Sequence, residues 1–260
     1  MKKLHLRTKR LKSEVQVQVG EATIEMKTSN WHKSFSELDD FALWTGLPFA
    51  MREGKDLLIE GPVSSEAVHN ASRLIELWST WVPQQFSPIE VTANDQTENP
   101  GHTGSGKLMC FSGGVDSTYA LAKNFHATDE KIQLLTVHGM DYRKDDRSRF
   151  TKLLEKTSPA RERFSEDTIL IWSNAYSEMK KRGVNTLHSF GFHLAGALFL
   201  FENEYSAGAI AADNPDYLEV IRMPYGSNSI SNRLLKNQRF GVETWGFDAP
   251  RSMKLGYLSE

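Results

Sequence analysis

Alternation dominates the start of the chain and longer periods dominate the rest. Val15-Gln16-Val17-Gln18-Val19 alternates strictly and predicts a half-buried strand. Thr23 to Met26 and Leu57-Leu58-Ile59, each edged by glycine, read as further strands, and Pro88 to Ala93 as one more. Between them, Ser64-Ser65-Glu66 opens a helix whose apolar positions Ala71, Leu74, Ile75 and Trp78 recur at helical spacing until Pro83 stops it. Trp31, Trp44, Trp78 and Trp81 fall here and read as core or interface rings. Residues 94–106 are polar, rich in glycine and without period, as in a linker.

From residue 107 short apolar runs alternate with amphipathic stretches. Strands are predicted over 107–111, 132–137, 168–172 and 206–211, with a fifth over 239–244, and helices over 115–125, 145–156 and 185–202. Apolar runs such as Ile132–Val137 and Ala207–Ala212 suit strands covered on both faces. The fold class expected is therefore α/β: a doubly wound parallel sheet at 107–260, a linker at 96–106 and a small α+β module at 1–95. In such sheets ligands bind beyond the carboxyl ends of the strands. Polar clusters fall at four of those ends: Ser112–Ser117, His138-Gly139-Met140-Asp141, Ser173-Asn174 and Asp213-Asn214.

The first cluster carries the most specific chemistry. An apolar run, Leu108 to Phe111, leads through Ser112-Gly113-Gly114-Val115-Asp116-Ser117 into a helical turn. A strand entering a helix through two glycines gathers backbone N–H groups and the positive helix end around one concavity, suited to phosphate. Gly113 and Gly114 are expected to take positive φ and to let a ligand approach the backbone. Ser112 and Ser117 add hydroxyls, and Asp116 suits a hard cation such as Mg²⁺. No Gly-Lys-Ser/Thr follows, so the loop is not a Walker A loop.

This hexapeptide resembles the pyrophosphate loop (PP-loop) of the N-type ATP pyrophosphatases, which include ATP-binding domains of GMP synthetase, asparagine synthetase, 4-thiouridine synthetase and the 7-cyano-7-deazaguanine synthases. The resemblance implies an adenine nucleotide alpha hydrolase-like fold, with ATP and Mg²⁺ as cofactors. It also implies cleavage between the α and β phosphates: AMP goes onto a carbonyl or carboxylate oxygen of a small metabolite or nucleobase, and a nitrogen or sulfur nucleophile then displaces it. Over most of its length the chain is similar to a group of bacterial PP-loop proteins. The segments concerned include Leu47-Pro48-Phe49-Ala50-Met51-Arg52, Gly61-Pro62-Val63-Ser64, His138-Gly139-Met140-Asp141, Pro224-Tyr225-Gly226-Ser227-Asn228 and Arg251-Ser252-Met253-Lys254. Where that group has His-Gly on the helix, this chain has His188-Ser189.

The resemblance implies roles for single residues. Ser112 to Ser117 would hold phosphates, Asp116 Mg²⁺ or pyrophosphate, and His138 and Met140 adenine, chiefly through their backbone. Arg251 and Lys254 would face the α-phosphate or the departing pyrophosphate, or else be solvated tail charges. Asn174, Tyr225, Ser227 and Asn228 would contact substrate. His188 is either such a contact or a structural residue near a cap. His188 and His193 are five apart, about 140° around a helix, so they do not form a metal pair.

Composition narrows the setting. A net charge of −2 and a pI near 6.5 supply no basic field for nucleic acid. No apolar run approaches the roughly 18 residues that span a bilayer, and the basic start lacks a signal-peptide core, so a cytoplasmic enzyme is expected. Its partners are a small-molecule or nucleobase substrate and a protein donating sulfur or ammonia, with a homodimer left open. Cys110 is the single cysteine and lies in the strand before the loop, which excludes a cysteine-built zinc site and an internal disulfide. A sulfur reaction would thus need free sulfide or a partner's persulfide; a non-catalytic nucleotide-binding subunit is the third reading.

Overall fold

The computed structural model describes residues 3–98, 104–140, 143–219 and 225–259. The first part of the chain supplies β1 (Leu4–Arg10), β2 (Glu14–Val19), β3 (Ala22–Thr28), α1 (Asp40–Glu53), β4 (Leu57–Ser64), α2 (Ser65–Trp81) and β5 (Val91–Thr97). The second begins with β6 (Lys107–Cys110), α3 (Val115–Thr128), β7 (Ile132–His138), α4 (Arg147–Phe164), β8 (Ser165–Ser173), α5 (Ala175–Lys181) and α6 (Thr186–Phe199). It ends with β9 (Ala207–Ala211), α7 (Asp216–Glu219), α8 (Ser229–Asn232), β10 (Val242–Trp245) and α9 (Arg251–Ser259).

All ten strands join one sheet, in the order β10-β9-β6-β7-β8-β3-β2-β1-β4-β5. The strands from β6 to β10 are parallel throughout, and relabelled by their own sequence they run 3-2-1-4-5. The chain therefore leaves β6 in one direction and later returns to its other side, opening a crevice beyond the carboxyl ends of β6 and β9. Two helix layers cover the sheet: α3, α4 and α9 pack with one another, as do α1, α2, α5 and α6. The fold is thus the expected doubly wound α/β arrangement.

Strand β6 shows why both faces are apolar. Met109 and Phe111 pack with Ala120, Leu121 and Ala209 on one side, while Leu108 and Cys110 join the core shared with α1 and α6 on the other. In β2 only one face is covered so completely: Val15, Val17 and Val19 are buried and the intervening glutamines are not. That face belongs to the same large core as Leu108 and Phe199.

The first five strands are a continuation of the parallel sheet. Strand β3 pairs antiparallel with β8, with Met26 opposite Ser173 and Thr28 opposite Ile171. Ring contacts cross between the two stretches of chain, Trp44 on Phe199 at 5.8 Å and Trp78 on Phe192 at 5.7 Å. Residues 96 and 97, expected in the linker, are the last two of β5.

Three elements carry no signal in the hydrophobic pattern. Helix α1 is buried on every side from Asp40 to Met51, so it has no polar face to create a period, and it contains Gly46 and Pro48 besides. It approaches α6 so closely that a Cβ on Gly196 would lie 2.1 Å from Thr45 Oγ1. Strand β1 looks like a basic tail because its exposed positions are His5, Arg7 and Lys9, yet Leu4 and Leu6 are buried. Helix α9 is short and mostly exposed, with Lys254 its one buried residue. Helix α4 also outruns expectation, continuing through Pro159 to Phe164. Arg161 holds that last turn, donating to Thr136 and Thr168 side chains and lying 4.8 Å above the Phe111 ring. Among the described residues no helix is long and apolar enough to cross a membrane.

Candidate functional site

Strand β6 delivers the chain to the crevice, and the Phe111 N–H still pairs with the Leu135 carbonyl at 2.8 Å. The next three residues turn into α3. Gly113 has φ +75, and a Cβ there would lie 2.4 Å from Thr157 Cγ2, so both backbone and space demand glycine. Gly114 corrects the expectation that both glycines take positive φ: it caps α3 with φ −74 and ψ 168, ordinary extended backbone. Its cap has no side-chain hydrogen bond to the helix, and a Cβ on it would meet only Ser112 Oγ, at 3.3 Å. Ser112 Oγ accepts from the Gly114 N–H and lies 3.3 Å from Ser117 Oγ, which donates to the Gly114 carbonyl. Val115 is the first residue of α3. Hydroxyls and helix N-terminal N–H groups are therefore gathered around one point, as an anion site requires.

A cavity of about 390 Å³ opens there. Its lining includes Ser112, Gly114, Asp116 and Ser117 from the loop, Cys110 and Ile210 from the sheet, and Met140 beyond β7. The far wall is Tyr176, Leu187, Phe190 and Tyr225. This size lies within the roughly 300–1,000 Å³ common for small-molecule sites.

Asp116, in the first turn of α3, meets two cations from α9. Lys254 Nζ donates to Asp116 Oδ1 at 3.0 Å and to the Ala212 carbonyl at 2.6 Å, and is wholly buried. Arg251 donates to Asp116 Oδ2 at 3.2 Å and is mostly exposed. The structure thus joins Asp116 to two cations 135 and 138 positions away in sequence. Both Asp116 oxygens are engaged by cations, so the Mg²⁺ role expected of this residue does not fit its surroundings. Among the described residues no group of three or more His, Cys, Asp or Glu side chains is placed to hold a metal ion.

Asp213 follows β9 and lines the same cavity. Burial pushes its carboxyl above the ordinary carboxylate range; the Ser227 hydroxyl, which donates to Oδ2, opposes this, and the charge on Asp116 adds to it. Burial likewise pushes the Cys110 thiol well above its usual value, which keeps it protonated.

The other expected residues divide. Met140 and Tyr225 line the cavity; Tyr225 meets Phe190 edge-on with ring centroids 5.2 Å apart. His138 instead stacks on Phe150 at 4.3 Å, and its Nε2 lies 3.1 Å from the Arg143 carbonyl. Asn174 is turned to β3, accepting from the Glu25 N–H at 2.7 Å and donating to the Thr23 carbonyl at 3.0 Å. His188 lies on the face of α6 toward Trp78 and Phe86, and burial lowers its pKa. Ser227 reaches the site through Asp213, whereas Asn228 caps α8, accepting from the Ile230 N–H at 2.9 Å. Asp141 and Pro224 lie outside the described residues.

Asp213, Tyr176, Leu187 and Phe190 belong to the site without having been singled out as site residues. Asp213 had a signal, standing in the polar cluster after a predicted strand. The wall residues had none, because Leu187, Phe190 and Leu194 share one face of α6 that reads as core. No protein-family model matches the chain, and no curated protein or solved structure shows a significant similarity to it.

Proposed function

We propose that this chain is an ATP pyrophosphatase of the PP-loop class, an enzyme that activates an acceptor oxygen with AMP and releases pyrophosphate. One observation carries the reading. The Ser112–Ser117 loop sits beyond the carboxyl end of β6, beside the crevice between β6 and β9, with the open N-terminus of α3 at the cavity and Lys254 and Arg251 paired to Asp116 on its lining. The hexapeptide that resembles a pyrophosphate loop thus occupies the place where such a sheet binds phosphates.

The residues fit a nucleotide triphosphate. The N–H groups and hydroxyls of Ser112 to Ser117 would hold the β and γ phosphates, and glycine at 114 leaves room beside them. Lys254 and Arg251 would offset the charge that grows on pyrophosphate as the bond to the α-phosphorus breaks, a stabilisation that fixed cations provide without reorganisation. Met140 and Val137 border the β7 side of the cavity, where adenine would lie. A magnesium ion carried in by the triphosphate would supply further charge neutralisation. The reaction fits the cytoplasm, which supplies ATP and keeps a lone thiol reduced.

Cys110 on the cavity lining favours a second reading, sulfur transfer through that thiol. Its burial and raised pKa oppose it, since the thiolate is the reactive form. The decisive experiment incubates the protein with Mg-ATP, candidate acceptor substrates and radiolabelled pyrophosphate and follows exchange and AMP. Exchange into ATP supports adenylation; ADP and phosphate as products would overturn it; nucleotide binding with neither product would make the chain a binding subunit. Cys110→Ala should keep both exchange and product formation. Loss of product at unchanged exchange would turn the reading to sulfur chemistry.

A further inference from the structure

A cation without a counter-ion lies directly behind the Ser112–Ser117 loop. Arg161, in the last turn of α4, is half-buried, and no carboxylate forms an ion pair with it among the described residues. Burial alone acts on its guanidinium, lowering the pKa from 12.5 to about 10, so the charge persists at neutral pH. Taking a guanidinium out of water costs free energy, and an acid beside it is the ordinary compensation. Here the partners are neutral. Nε donates to Thr157 Oγ1 at 2.9 Å, Nη1 to Thr168 Oγ1 at 2.8 Å and Nη2 to Thr136 Oγ1 at 3.0 Å, and the Phe111 ring lies 4.8 Å away. Hydroxyls and a ring face hold the group in place without cancelling its charge. Asp116 does not serve it, being engaged by Lys254 and Arg251.

Two of those hydroxyls lead to the loop, one on each side of Ser112. Thr136 is buried, and its Oγ1 donates to the Phe111 carbonyl at 2.7 Å. With that proton committed, its lone pairs are left for Arg161. Thr157 Oγ1 donates to the Leu153 carbonyl at 2.8 Å, and its methyl is the group that a Cβ on Gly113 would meet at 2.4 Å. Arg161 therefore fixes the side chains that brace residues 111 and 113, and these set where the Ser112 hydroxyl and the Gly114 N–H point. Arg161 is not among the residues lining the cavity, so it acts through its neighbours.

We propose that Arg161 is a positioning residue of the anion site, bracing the loop through Thr136 and Thr157 and supplying a buried positive charge that is compensated only when a polyphosphate binds in front of the loop. This rests on the loop being the phosphate site of the reading given above. It does not require turnover. The helix N-terminus and the guanidinium then act on the same point from opposite sides, a fixed arrangement of charge that needs no reorganisation when the anion arrives.

The test measures binding of inorganic tripolyphosphate by calorimetry, and urea stability, for wild type, Arg161→Met, Arg161→Lys and Thr157→Val. Methionine and lysine both lose the planar fork and should lose similar stability. Their affinities should part. Arg161→Met should bind tripolyphosphate at least about tenfold more weakly, as for one lost charged contact, whereas Arg161→Lys keeps the charge and should stay within about threefold of wild type. Affinity that falls equally in both variants, in step with stability, would make Arg161 a packing residue only; unchanged affinity in both would remove it from the site. Should neither variant fold, Thr157→Val decides, since it keeps the side-chain shape and removes the hydroxyl: affinity about threefold lower supports the brace, and unchanged affinity overturns it. A wild type that binds no tripolyphosphate at millimolar concentration overturns the phosphate site and this inference with it. Binding without pyrophosphate exchange leaves the role of Arg161 standing and removes only the adenylating reading.

Discussion

Two clusters of carboxylates are withdrawn from water in this molecule, and they are neutralised in opposite ways. At the loop, Asp116 faces a buried ammonium and an exposed guanidinium, at 3.0 and 3.2 Å. Below the sheet, Asp40 of α1 and Glu202 beyond α6 share a single amide, Asn237 Nδ2, which lies 2.6 Å from each. The Ser36 hydroxyl also donates to Glu202, and the Ser64 N–H to Asp40. No ion pair reaches either acid among the described residues; Arg239 acts on Glu202 only at a distance. A carboxylate given two cations forms a fixed cluster of ion pairs at the edge of a cavity. A pair given only an amide and hydroxyls is pushed toward protonation, and its hydrogen bonds serve to fix α1, α6 and the Asn237 turn to one another. The first arrangement suits a site and the second a scaffold.

The largest effect should come from removing the buried cation. Lys254→Met keeps the length of the side chain but leaves Asp116 with the exposed Arg251 alone. Stability should fall by about 3 kcal/mol, the cost of breaking a buried pair, and pyrophosphate exchange by roughly 10²- to 10³-fold, as for one lost charge-stabilising group. Urea denaturation and exchange measured on the same preparation check this. If exchange survives at the wild-type rate, Lys254 is a structural anchor and the contrast between the clusters loses its functional side.

The two loop glycines sharpen the comparison at smaller scale. Gly113→Ala must hold a side chain at φ +75 against Thr157, and should lower stability by roughly 1–3 kcal/mol. Gly114→Ala keeps an allowed backbone and should melt within a degree or two of wild type, while losing nucleotide affinity because its methyl enters the cavity. Thermal melts with and without Mg-ATP separate the two. A Gly114→Ala variant that still gains normal protection from Mg-ATP would remove the loop from the phosphate site.

The scaffold cluster should reveal itself through pH. Burial, and then the nearby charge of Asp40, push the Glu202 carboxyl from its ordinary 4.5 up to about 7. The folded chain therefore keeps a proton that the unfolded chain has already lost between these values. Stability from this group is full below about pH 4.5, declines as pH rises toward 7, and does not return above it. Glu202→Gln should flatten that decline, seen as a smaller change in urea midpoint between pH 5 and 8. An unchanged pH dependence would mean that Asp40 or another acid carries the proton.

How far the sequence reached follows from the same physics. The parallel half was legible because buried strands and their crossover helices leave runs of fixed length, and the loop was legible because its glycines and hydroxyls stand between two such runs. Helix α1 was not, since a helix buried on every side has no period. Strand β1 was not, since its basic exposed face resembles a solvated tail. Position in sequence put Asp116, Ser112 and Ser117 together, and they line one cavity because the loop is local. It assigned Asn174 to a ligand and left His188 open between ligand and structure, whereas packing turns Asn174 to β3 and His188 toward Trp78.

The chain by itself determined its helices and strands where periodicity holds, the class of sheet and the strand-to-helix turn at Ser112–Ser117. Tertiary structure alone decided that the first five strands extend the same sheet, that α9 brings Lys254 and Arg251 to Asp116, that Gly113 rather than Gly114 takes the left-handed turn, and that Asp213 lines the cavity with Ser227 donating to it. Local propensity acts over a few residues and can be read from them. The pairing of charges 138 positions apart, and which side of a buried helix faces a cavity, depend on how the layers close over one another.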